Sequence, residues 1–161
     1  ITGTGFFFGK TTLGESVNRM SESKIQDVGK IVPFPIDGIT ARPVGLLESE
    51  EYKVNPYVYD YKFASDYDDH IVMFWNQDGE GARTISVDMG LDTAFGGLGL
   101  DPEKEYEVWD FWDWKYIGRF QGSDELTQLV RDQEMKTMAV REVRDEPYLI
   151  STNRHVLQGT K

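Results

Sequence analysis

From Ala41 to Val143, apolar residues come in short runs, and turn-forming residues break the runs at regular intervals. The runs are "ARPVGLL", "NPYVYDYKF", "DHIVMFWN", "RTISVDM", "EYEVWDFW", "KYIGRFQG", "LTQLV" and "EMKTMAVREV". They are rich in β-branched and aromatic residues, which fit a pleated, half-buried surface. The breaks, such as "QDGEGA", "DTAFGGLGLDPEK" and "RDQ", are Gly, Asp and Pro turn chemistry. About eight strands at this spacing predict an antiparallel β-sandwich over 41–146. Nothing between the runs is periodic enough for the crossover helices of a parallel sheet.

The first forty residues follow another rule. "GFFFGKTTLGESVNRM" is broken by glycine, and "SESKIQDVGKIVPFP" has helical spacing. Ser21 can cap its start, Ile25, Val28 and Ile31 or Val32 share one face, and Pro33 ends the pattern. A short helix over 22–32 is expected, followed by an extended "PFPIDG".

Within "EYEVWDFWDWKYIGRFQG", strand alternation puts Tyr106, Val108, Asp110 and Trp112 on one face and Glu107, Trp109 and Phe111 on the other. Val108 and Trp112 are expected to point inward. Asp110, between them, is expected to accept hydrogen bonds that pin a loop, because a carboxylate in an apolar row is costly to bury unsatisfied. Trp109 shares its face with Glu107 and is expected at a surface or a domain contact. Aromatics fill cores and interfaces, and their faces also stack on the C–H faces of sugars. Trp109, Trp114 and Tyr116 are the candidate exposed rings for that second use.

Composition narrows the partners. A chain of 161 residues is long enough for one domain with a real core. Its net charge of -11 argues against nucleic acid and anionic membranes, which need a basic surface, and leaves neutral ligands such as sugars open. There is no cysteine, hence no disulfide and no thiolate metal site. This leaves the compartment open between exported or periplasmic and cytoplasmic. No apolar run approaches the roughly 20 residues that span a bilayer. No signal peptide is visible, and the chain starts at Ile1 without methionine, so a processed or cut piece of a longer protein is expected.

Other candidate chemistry fails on spacing. In "TGTGFFFGKTT" the Gly9-Lys10 pair lacks the upstream glycine of a phosphate loop, because Thr4 holds that position. Asp66, Asp68, Asp69 and His70 cluster in "SDYDDH", but their spacing matches no helix–loop–helix calcium motif. The two histidines, His70 and His155, support neither a histidine zinc site nor a Ser-His-Asp triad. No carboxylate pair is marked by context as that of a glycosidase. No catalytic residue, metal or cofactor is therefore assigned.

"LDPEKEYEVWDFWDWKYIGRFQGSDELTQLVRDQEMKTMAVREV" resembles the C-terminal antiparallel β-sandwich of α-galactosidase-type (melibiase-like) glycoside hydrolases. Tyr106, Val108, Asp110 and Trp112 match that family's Tyr-x-Val-x-Asp-x-Trp strand, and Ile117-Gly118 matches its Leu/Ile-Gly pair. Where the family has a "PHG"-like step, this chain has "RDQE", a departure that bears on the subfamily rather than the fold. "GKIVPFPIDGITARPVGLL" resembles the passage from the catalytic barrel into the sandwich, with "SESKIQDVGK" as the end of the barrel's last helix. "ISTNRHVLQG" resembles a segment that continues into a further β domain in some relatives. The family's catalytic aspartates lie on the barrel, and nothing here matches them.

The resemblance implies three parts. Residues 1–40 are a remnant of a preceding barrel domain, 41–146 are the sandwich, and 147–161 are a C-terminal extension. The leading expectation is a non-catalytic accessory domain of a retaining glycoside hydrolase, packed against the TIM-barrel catalytic domain of the same protein and supporting it. The alternative is a carbohydrate-binding module using Trp109, Trp114 and Tyr116, with Asp110 and Trp112 structural in either case. A free-standing interaction domain is the third reading.

Overall fold

The computed structural model describes residues 21–30, 41–44, 57–77 and 79–156. The phosphate-loop candidate at 3–12 and the extended "PFPIDG" lie outside these residues. The helix expected over 22–32 is α1, Glu22–Gly29, and residues 31 and 32 lie outside the described set.

Eight strands follow: β1 (Arg42–Pro43), β2 (Val58–Lys62), β3 (His70–Trp75), β4 (Arg83–Asp88), β5 (Glu105–Asp110), β6 (Lys115–Gln121), β7 (Glu125–Val130) and β8 (Met135–Glu142). Seven fall inside one of the eight apolar runs of the sequence, and β7 begins one residue before "LTQLV". They form a six-stranded sheet, ordered β1-β2-β3-β8-β5-β6, and a two-stranded sheet of β4 and β7. All pairings are antiparallel, so the chain is mainly β and built of two antiparallel sheets.

Side-chain periodicity accounts for the packing. In β7 every second residue, Leu126, Gln128 and Val130, is buried while Glu125, Thr127 and Leu129 face solvent. The small sheet therefore has one wet face. Its dry face, with Ile85 and Val87 of β4, packs on Val72, Phe74, Val108, Met138 and Val140 of the large sheet. Fully burying each such side chain stabilises the fold by roughly 1.5–3 kcal/mol.

β3 lies between β2 and β8 and is buried from His70 to Phe74. That explains its unbroken "HIVMF" run, since a strand covered on both faces needs apolar groups at both parities. Its outer-facing residues, Ile71 and Met73, belong to a second cluster with Ala41, Tyr61, Phe111, Ala139 and Val156. The C-terminal segment closes over this outer face and ties to the helix side, where Val156 N–H donates to the Lys30 carbonyl at 2.9 Å.

One expectation is corrected. Trp112 does not share the inward face of Val108; it packs on the outer cluster with Trp109. The cause is local. Asp110 Oδ1 accepts the amides of Trp112 (3.0 Å) and Asp113 (3.1 Å), a side-chain-to-backbone capture that opens a turn at 111–114. β5 ends at Asp110, and strand alternation ends with it.

Candidate functional site

The aromatic end of the outer face holds the rings singled out in the sequence. Trp109 sits late on β5, opposite Tyr116 of β6 and Ala139 of β8. Its ring meets Trp114 edge-on at 5.0 Å between centroids, and Tyr116 tilted at 6.5 Å. Trp114 and Tyr116 are 48% and 45% exposed, whereas Trp109 is half-buried and its Nε1 has no hydrogen-bond partner. The structure thus gathers all three candidate rings at one end of the β5–β6 hairpin.

Their roles differ. Trp112 is half-buried and held in place, because its Nε1 donates to Thr137 Oγ1 at 3.0 Å and its ring meets Phe111 edge-on. Asp110 is buried; its burial raises its pKa, and the Asp113 and Trp112 amides and Lys136 oppose that rise. Lys136 Nζ lies 3.8 Å from its Oδ2. Trp114 has a φ of +52°, a left-handed conformation that favours glycine.

Several participants escaped sequence reasoning. Trp75 and Met135 are register partners at the ends of β3 and β8, each 38% exposed, and Tyr59 of β2 lies 6.3 Å from Trp75. The strand period of "DHIVMFWN" puts Trp75 at the parity of Ile71 and Met73, so this signal was present. Lys30 and Asn153 carried none. They join Phe111, Trp112 and Trp114 around a cleft of about 110 Å³ only because the C-terminal segment folds back to α1. Lys30 Nζ is 2.9 Å from Asp27 and 5.6 Å from the Trp112 ring centroid.

The acidic stretch at the opposite end of the sandwich is a structural network. His70 is fully buried with Nδ1 2.7 Å from Asp60 Oδ1 and Nε2 3.4 Å from Asp68 Oδ1. Asp68 also pairs with Lys62 and accepts from the Tyr106 hydroxyl at 3.3 Å. Asp69 is buried and pairs with Arg144, while its Oδ1 accepts the Glu142 amide at 3.2 Å. Among the described residues no group of three or more His, Asp and Glu side chains is arranged to hold a metal ion. His155 lies on the C-terminal segment, its backbone within hydrogen-bond reach of Thr152 Oγ1. No helix among the described residues is long and apolar enough to cross a membrane.

No family model matches the chain, and no curated protein matches it either. Among solved structures it is similar to α-galactosidase I from Mortierella vinacea, with 18% identity, a TM-score of 0.41, and 54% of this chain and 21% of that one covered. It is also similar to an α-galactosidase from Saccharomyces cerevisiae solved with raffinose, with 12% identity, a TM-score of 0.40, and 53% of this chain and 28% of that one covered. The matched part is therefore about half of this chain and between a fifth and a third of theirs, and both neighbours are glycoside hydrolases.

Proposed function

We propose that this chain is a non-catalytic accessory β-sandwich domain of a retaining glycoside hydrolase. It packs on the TIM-barrel catalytic domain of the same protein and supports it. The observation that carries the reading is the uncovered aromatic end of the outer face. Tyr59, Trp75 and Met135 lie side by side across β2, β3 and β8, with Trp75 and Met135 exposed. Leaving large apolar groups together in water is costly, and such patches mark contacts with another folded surface. The family resemblance of the sequence, from the helix ending near Lys30 to the "YEVWDFW" strand, supports a barrel as that surface.

The test has two parts. Incubated with aryl galactosides, aryl glucosides and neutral oligosaccharides, the chain alone is expected to give no turnover above buffer. Robust hydrolysis abolished by one Asp or Glu substitution within 1–161 would overturn the reading. In the product of the full gene, Trp75→Asp with Met135→Asp is expected to uncouple the sandwich from its neighbour. One thermal transition then becomes two and the hydrolytic half-life at elevated temperature falls. Unchanged melting and half-life would remove this face as the contact.

A further inference from the structure

Trp114 is an expensive residue at its position. A bulky side chain at φ +52° is strained, and glycine would sit there freely. Half of the ring is also left in water. A strained backbone that carries a large, half-exposed ring points to a use beyond folding.

The surroundings say what that use is. Trp114 forms one wall of the cleft of about 110 Å³ shared with Lys30, Phe111, Trp112 and Asn153. One water needs roughly 10–15 Å³ by that measure, so the cleft takes a ligand of several heavy atoms. Its walls are rigid. Trp112 is fixed through Thr137, and Trp109 braces Trp114 edge-on. Its rim is polar, with an ammonium from Lys30 and an exposed amide from Asn153. Lys30 is already paired with Asp27 at 2.9 Å, so the cleft offers hydrogen-bond donors without an uncompensated cation to attract an anion. The net charge of -11 works in the same direction.

We propose that this cleft binds one ring of a neutral sugar. The apolar C–H face of the pyranose stacks on the Trp114 indole, and its hydroxyls bond to Lys30 Nζ and the Asn153 amide. The site uses none of Tyr59, Trp75 or Met135, so its variants differ from those that test the domain contact proposed above, although Lys30 belongs to the segment that the resemblance reads as the barrel's last helix. It also differs from a platform of Trp109, Trp114 and Tyr116, because Trp109 serves as a brace and Tyr116 lies outside the cleft.

Saturation-transfer NMR and tryptophan fluorescence on the full chain test it, with methyl galactoside, methyl glucoside and N-acetylgalactosamine as probes. A single ring on one aromatic wall is expected to bind saturably with roughly millimolar affinity. Trp114→Gly is the decisive variant. It suits the left-handed backbone, so its Tm is expected to stay within a few degrees of the parent while affinity falls about tenfold or more. Asn153→Ala is expected to weaken binding several-fold, and Tyr116→Ala and Trp75→Ala to leave it unchanged. Absence of saturable transfer with all three sugars overturns the proposal, as does binding that survives Trp114→Gly. Loss of binding in Tyr116→Ala with retention in Asn153→Ala would overturn it in favour of the hairpin platform. Failure of the Trp75 and Met135 variants to uncouple domains would leave these results untouched.

Discussion

The buried pair of His70 and Asp60 gives stability a pH dependence whose sign follows from its surroundings. His70 faces Asp60 on β2 and Asp68 in the β2–β3 loop and pairs in register with Lys62. Asp68 in turn meets Lys62 and the Tyr106 hydroxyl, its amide donates to Glu142, which pairs with Lys104, and Arg141 donates to the His70 carbonyl. Burial is the largest single influence on the imidazole and lowers its pKa. The hydrogen bond to Asp60, that to Asp68 and the charges of both carboxylates outweigh it, so the net shift is upward. A folded pKa above the unfolded value means that the stability from this group is complete below about pH 6.5 and is lost as pH rises through the folded pKa. Asp68 runs the other way. Its hydrogen bond to His70 holds it well below the usual carboxylate range, against its burial and with help from Lys62. Its contribution is present above about pH 4 and is lost as pH falls. The network is therefore strongest in weakly acidic solution.

Asp60→Asn isolates the effect. It replaces a charge-assisted bond at 2.7 Å by a neutral one. Hydrogen bonds to charged groups are worth roughly 1.5–3 kcal/mol, so a loss of that size is expected near pH 5.5. The loss should shrink towards about pH 9, because the parent gives up its own advantage as His70 deprotonates. General repulsion among the acidic groups acts on both proteins and largely cancels in the difference, since the variant lacks one of 28 acidic side chains. Urea unfolding followed by tryptophan fluorescence across this range measures it, and NMR titration of the His70 ring reports its pKa directly. The reasoning fails if the parent–variant difference is flat or grows with pH. It fails equally if the His70 titration is the same in both.

Three further outcomes follow from the turns. Asp110→Ala should cost about 1–3 kcal/mol in urea unfolding, because the Trp112 and Asp113 amides lose their acceptor. Gly122→Ala should cost about 1–3 kcal/mol, because a Cβ there would lie 1.9 Å from the Asp101 carbonyl oxygen and the backbone must shift; near-neutral behaviour would refute this packing. Gln133→Gly should raise stability by about 0.5–1 kcal/mol, since relief of a left-handed residue at φ +55° exceeds the added unfolded-state entropy.

The strands were legible because burial and period agree. β4 alternates and is half wet, whereas the apolar β3 is covered on both sides, and both patterns are plain in "RTISVDM" and "DHIVMFWN"; in β7 the buried Gln128 and the exposed Leu129 depart from that agreement. The small scale was less legible. The face of Trp112 turned on one event, the capture of two amides by Asp110, which stops β5 two residues before alternation would have carried Trp112 inward. The value of an acid in that strand was readable from the cost of burying it. The consequence for the next tryptophan was not, because the turn depends on geometry that spacing does not encode. Lys30 and Asn153 were invisible for another reason. They lie 123 positions apart by their numbers (153 minus 30), and a backbone bond from Val156 to Lys30 brings their segments together.

The tight spacing of Trp109, Trp112 and Trp114 follows from the same turn. A strand would have spread them over two faces. The turn instead puts Trp112 and Trp109 on the outer cluster and carries Trp114 back over Trp109. Trp112 is spent on anchoring, through Thr137 on β8. Trp109 is spent on bracing, with its ring half-buried against Trp114. Trp114 alone keeps much of its ring in water, on a backbone that would favour glycine. Trp109 backs the Trp114 ring edge-on, and a ring placed in advance lowers the entropy cost of the binding proposed for it. The turn that ends the strand therefore also presents the Trp114 ring.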